Sequence, residues 1–199
     1  MIDPTRIYIS AYAELSTKEE YRHEIGWIEN IKPLEEQTWQ TFEYEYIWVV
    51  LNAGMKEQIA RKIYERFLDA AEHYEERKED PFQTIGHKGK RKAISSFVGN
   101  GERYFQRLQI AEDKIEYLKA LPWIGDITKY HLAKNMGIDC VKPDRHLERM
   151  AKVYDYATPY DMCKQIQIDL GGIGTPYQTK LATIDLVLWR WCNLGRWKP

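Results

Sequence analysis

Cysteine is scarce in this chain of 199 residues, which holds three: Cys140, Cys163 and Cys192. Three scattered thiols exclude a disulfide framework and a four-thiolate iron–sulfur cluster, so the core has to come from apolar packing alone. An excess of one charge is lacking too. The formal net charge is −1, which excludes wholesale electrostatic coating of a polyanion and leaves any basic surface to local clustering. No uninterrupted apolar run approaches the roughly 20 residues of a membrane span, and Met1-Ile2-Asp3-Pro4 is not the basic start of a leader. The expectation is a soluble, cytoplasmic protein with no membrane partner. Internal repeats and low-complexity segments are also missing. What is present in quantity is apolar sequence, 44% of the residues, enough for one sizeable core or two small adjoining ones.

Those apolar residues recur at helical spacing, and the fold class they predict is all-α. Residues 17–30 form a first helix with Ser16 or Thr17 as cap and Glu19 and Glu20 in its first turn. Residues 41–51 are apolar nearly all round, with Phe42, Tyr46, Val49 and Val50 beside Tyr44, Trp48 and Leu51, as in a buried central helix. Asn52-Ala53-Gly54 interrupts. Residues 55–76 resume with Ile59, Ile63 and Phe67 on one face. Shorter helices follow at 90–98, 103–110 and 113–121, then at 145–154, 159–170 and 176–193, with Gly171-Gly172-Ile173-Gly174 breaking the last two apart.

The densest signal lies in residues 118–149, LKALPWIGDITKYHLAKNMGIDCVKPDRHLER. Pro122 and Gly125 punctuate a tight turn between Leu118/Leu121 and Tyr130/Leu132/Ala133, so two helices meet in a hairpin. The turn offers the backbone N–H groups of Trp123 through Thr128 at a helix start, where the dipole adds positive charge; Trp123, Gly125, Ile127 and Thr128 are therefore candidates to hold a phosphate. Asp144 follows Pro143 and precedes Leu147, Met150, Ala151 and Tyr154, the position of an N-cap. Upstream, His87, Lys88, Lys90, Arg91 and Lys92 cluster around Gly86 and Gly89, with Arg103 and Arg107 beyond. Such a cluster either contacts backbone phosphates, Lys88 and Lys90 first, or is a solvated helix start.

Leu121-Pro122-Trp123-Ile124-Gly125, followed by Pro143-Asp144-Arg145-His146-Leu147-Glu148-Arg149, resembles the helix-hairpin-helix DNA glycosylases. In that family a Leu-Pro-Gly-x-Gly hairpin precedes an aspartate in a V-D-x-H-x-x-R context. The resemblance implies two helical subdomains flanking a DNA-binding cleft, residues 34–136 ending in the hairpin and residues 1–33 with 137–199 carrying the aspartate. It implies cleavage of the N-glycosidic bond of a damaged or modified base in double-stranded DNA by a monomer, with Asp144 as the catalytic carboxylate. No cofactor or iron–sulfur cluster is implied, though a monovalent cation at the hairpin fits.

Two further stretches carry the resemblance. Asn52 and Met55 follow the early helix, where a side chain fills the gap left by an extruded nucleotide; alternatively they form a plain helix-to-helix turn. Thr183-Ile-Asp-Leu-Val-Leu-Trp resembles the pocket helix of 8-oxoguanine glycosylases, with Asp185 and Trp189 on one helix face toward the everted base. Asp185 could equally pair inside the protein. Trp123 replaces the first hairpin glycine, and Ile127 stands where strand-cleaving members carry a lysine nucleophile. Lys129, roughly 200° around a helix from Ile127, is read as solvated. The expected enzyme is therefore monofunctional. The alternatives are a DNA-binding module without turnover, and a glycosylase that also cleaves the strand with another lysine.

Overall fold

The computed structural model describes residues 3–173 and 180–198. Helices α1 (Pro4–Leu15) and α2 (Glu19–Asn30) open the chain; a 3-10 turn at Leu34–Glu36 leads into α3 (Trp39–Asn52), α4 (Glu57–Glu72) and α5 (Tyr74–Arg77). A second 3-10 turn at Pro81–Thr84 precedes α6 (Lys88–Phe97), α7 (Gly101–Ile110), α8 (Lys114–Lys119) and α9 (Thr128–Asn135). Then come α10 (Arg145–Val153), α11 (Pro159–Ile173) and α12 (Leu181–Asn193). Among the described residues the fold is all-α with no strand, and no helix is long and apolar enough to cross a membrane. The chain divides into two compact units, Met1–Ile31 with Gly137–Pro199, and Lys32–Met136.

In the first unit α1 begins where Asp3 accepts the Thr5 N–H and Pro4, which has no N–H to satisfy, fills the first turn. Ser16 and Thr17, expected to open the next helix, finish this one instead. The Ser16 N–H reaches Tyr12 O, and the Thr17 hydroxyl donates to Glu14 O. The core joins Tyr8, Ala11 and Leu15 of α1 to Leu147 and Met150 of α10, Met162 and Ile166 of α11, and Ile184, Val187 and Leu188 of α12. Each set follows the three-to-four-residue spacing of one helix face. Helix α11 runs through Gly171 to Ile173, past the expected break, while Gly174 and the expected helix start at Pro176 lie outside the described residues.

In the second unit α3 is central, packed against α4, α6, α7 and α9, as its all-round apolarity predicts. Tyr46 stacks on Phe97 at 3.7 Å between ring centres, and Phe97 stacks on Tyr104 at 4.9 Å. The Tyr46 hydroxyl donates to Pro122 O at 2.8 Å, so the central helix grips the α8–α9 turn directly. The helix expected over residues 55–76 breaks at His73, and Ile59, expected on its core face, is exposed.

Lys90 differs most from expectation. Only 3% exposed, its ammonium donates to Leu51 O at 2.6 Å and Ala53 O at 2.7 Å, carbonyls at the α3 C-terminus that have no helical partner. Gly54 then turns the chain at φ +67. Burial lowers the Lys90 pKa, and two charge-assisted bonds, each about 1.5–3 kcal/mol, offset that penalty. Lys90→Met strands both carbonyls. We expect it to cost about 2–4 kcal/mol, read as a lower urea midpoint with unchanged m; a midpoint equal to wild type would show that the α3–α4 turn holds without the amine.

Candidate functional site

The hairpin is anchored by Leu121 and Ile124, both buried, and by the Tyr46–Pro122 bond, while Gly125, Asp126 and Ile127 are exposed at its tip. Two of the N–H groups expected to face a phosphate are used internally: Ile124 donates to Leu121 O at 3.1 Å and Gly125 to the Thr128 hydroxyl at 2.7 Å. Ile127 precedes α9 without a side-chain cap.

Trp123 has a left-handed backbone, φ +63, of the kind that favours glycine. A non-glycine residue there costs about 1–2 kcal/mol. Its ring offsets that: burying half of an aromatic surface of roughly 200 Å² returns around 2.5 kcal/mol. The cradle is Gly89 on α6, where a Cβ would fall 2.5 Å from Trp123 Cζ3. The His87 ring meets the indole edge-on at 5.1 Å.

Lys129 is not solvated. It is 6% exposed, bound to the Glu116 carboxylate and 3.8 Å from Asp126 Oδ1, which also takes Lys119 Nζ at 2.6 Å. The hydrogen bond to Glu116 raises the Lys129 pKa against the opposing effect of burial, and the Lys119 ammonium lowers that of Asp126. The four charges tie α8, the turn and α9 together. The basic segment also thins out. Lys90 is withdrawn to the α3 terminus and cannot serve as a phosphate contact, and Arg91 donates to Ile85 O at 2.8 Å and Gln83 Oε1 at 3.1 Å. Lys88, Lys92, Arg103 and Arg107 remain exposed, and His87 Nδ1 caps α6 on the Lys90 N–H. Asn52 and Met55 are half-buried at the α3–α4 turn.

In the other unit, Asp144 caps α10. Its Oδ1 accepts the N–H of His146 at 2.8 Å and of Leu147 at 3.1 Å, while Oδ2 makes no hydrogen bond among the described residues. The side chain is partly exposed. Buried Cys140 and Val141 hold the preceding link, and Asp185, 1% exposed, fixes its end by accepting the Lys142 N–H at 2.8 Å. Of the two readings the sequence left for Asp185, these contacts favour the internal one. It positions the segment that presents Asp144. Trp189 is half-buried against the core, with the Arg190 guanidinium 4.8 Å from its ring centre and that guanidinium paired to Glu24 at 2.7 Å. His146 is half-buried, and exposed Arg149 lies 6.0 Å from the Trp197 ring.

One neighbour of Asp144 went unpredicted. Cys192, buried on α12, has its thiol pKa pushed from an ordinary 9.0 up to about 12, by burial first and then by the Asp144 anion, with Arg149 opposing. Its position on α12, about two turns beyond Asp185 on the same face, was the available signal. Among the described residues no three His, Cys, Asp or Glu side chains gather as a metal site. No protein-family model, curated protein or solved structure matches the chain.

Two expectations follow from these contacts. Asp185→Ala removes the carboxylate that accepts the Lys142 N–H and should cost about 1–3 kcal/mol with faster exchange of that amide, whereas Asp185→Asn keeps an acceptor and should lose less; equal exchange in both variants would detach Asp185 from the link. The second concerns alkaline pH. Because the folded Cys192 pKa is raised, the unfolded chain ionises first, so its stabilising contribution is complete below pH 9.0 and is lost toward about 12. Raised Tyr64 acts in the same direction and lowered Lys90 in the opposite one. Cys192→Ala should therefore flatten the fall of stability with pH in that window, as measured by urea titration at several pH values; an unchanged slope would contradict the shift.

Proposed function

We propose that the chain is a monofunctional DNA glycosylase that hydrolyses the N-glycosidic bond of a damaged or modified base turned out of double-stranded DNA. The observation that carries the proposal is the state of Asp144: a carboxylate fixed by two backbone N–H groups through one oxygen, partly exposed, with its second oxygen unbonded among the described residues.

Loss of the base develops positive charge on the deoxyribose, as in other glycoside cleavages. A fixed anion stabilises that charge without reorganising at the moment of reaction, and the second oxygen is available to orient water. The hairpin and the exposed Lys88 and Lys92 supply contacts to backbone phosphates, which offset the few kcal/mol needed to rotate a nucleotide out of the stack. Asn52, Met55 and Trp189 are proposed to meet the distorted or everted nucleotide. A lyase step through an amine has less support, since the resemblance sets Ile127 where a lysine nucleophile would stand and Lys129 is tied to Glu116 with a raised pKa.

The test is a panel of duplexes carrying assorted modified bases, with products examined before and after alkali and after borohydride. Breakage that depends on alkali is expected. A borohydride-trapped adduct would convert the enzyme to a lyase, and intact DNA binding with no product from any lesion would make it a binding module. Asparagine caps helices as well as aspartate, so Asp144→Asn should keep the folding midpoint while lowering base release by about 100-fold or more. Unchanged release by that variant would remove Asp144 from the chemistry.

A further inference from the structure

We infer that Trp123 is a base-stacking residue: its indole, seated on Gly89 and braced by His87, is held at the hairpin turn to receive an unpaired nucleobase of bound DNA. The inference rests on the proposed action on DNA, and it is tested on binding rather than turnover so that the two can fail separately.

Three observations converge. Trp123 holds a backbone conformation that favours glycine, so the indole is retained against a steric preference. The side chain is immobilised: Cζ3 and Cη2 lie where a Cβ on Gly89 would come within 2.5 and 2.7 Å, and the His87 edge closes another side. Even so, the residue remains 45% exposed. A ring whose only task was to seal the turn to α6 would gain most by burying the remainder.

The surroundings specify the ligand chemistry. The cradle is the first turn of α6, where exposed Lys88 lies at the positive end of the helix dipole with Lys92 a turn beyond. A fixed aromatic beside exposed cations suits a chain that alternates π faces with phosphates, and such stacking tolerates any base because every base has a π face. Trp123 therefore selects for an unstacked base, not for its identity. A polyanion without bases would engage the lysines alone.

The experiment uses the full chain and duplexes with 2-aminopurine either paired or left unpaired opposite an abasic site, reading affinity, 2-aminopurine fluorescence and the denaturation midpoint. Wild type should quench the unpaired probe. Trp123→Gly and Gly89→Ala should each weaken binding to the unpaired duplex about tenfold, abolish quenching and leave paired-duplex affinity near wild type, whereas Trp123→Phe should retain most of both signals. Alanine is a better helix former than glycine, so Gly89→Ala displaces the ring while keeping the fold, and it decides the question if Trp123→Gly does not fold. In a Trp123→Gly background Gly89→Ala should add nothing. Wild-type quenching in either single variant, or equal losses on paired and unpaired duplexes, would overturn the inference. Base release by wild type alongside unaltered quenching in Trp123→Gly would overturn it and leave the enzyme reading intact, while a wild type that binds no DNA would overturn both.

Discussion

Short helices end in backbone groups that have no partner along the helix, and this chain closes many of those ends with ionisable side chains sent from elsewhere in the same unit. The Lys90 ammonium takes the last carbonyls of α3, and the Asp185 carboxylate takes the Lys142 N–H before α10. Asp139 takes the Ala182 N–H at the start of α12, and Glu43 lies against the Gly99 and Gly101 amides at the start of α7. Burial disfavours the charges of Lys90, Asp185 and Glu43, yet an unsatisfied buried amide or carbonyl also costs free energy, and a charged partner is the strongest acceptor or donor available. This constraint decides which charged residues face solvent and which are consumed by structure.

It also decides how much of the molecule the sequence reveals. Helix α3 was legible because its apolar residues surround the axis, and the α8–α9 hairpin because Pro122 and Gly125 interrupt two apolar runs. The Asp144 cap was legible from Pro-Asp before an amphipathic stretch. Helix α1 was missed although Asp3-Pro4 is a helix-start signal and Tyr8, Ala11 and Leu15 share a face.

Lys90, Lys129 and Asp185 share one cause. Lys90 lies in line with Ala93, Ile94 and Phe97; Lys129 with Leu132, Ala133 and Met136; Asp185 with Leu181, Leu188 and Cys192, and all of these partners are buried. Helical period placed each charge on a core-facing stripe. Charge suggested solvent or ligand, and position prevailed. A charged residue at a core-stripe position in a short helix is thus better read first as a latch for loose backbone, and only then as a site.

Asp144 is different because it spends only half of its capacity on structure. One oxygen is bound by the first turn of α10, which fixes the carboxylate on a rigid element; the link behind it is fixed in turn by Asp185 from α12. A catalytic anion works best when its position is set before charge develops opposite it, and capping meets that requirement with the same two hydrogen bonds that stabilise the helix. The structural and proposed chemical roles therefore do not compete. The Trp123 turn follows a related logic. Its strained backbone persists because a neighbouring glycine makes room for the ring, so the turn keeps the hairpin path of a glycine while displaying an aromatic surface that a glycine lacks. In both places the backbone is fixed first and the side chain is left partly uncommitted, and a side chain in that condition can act on a ligand without dismantling the fold.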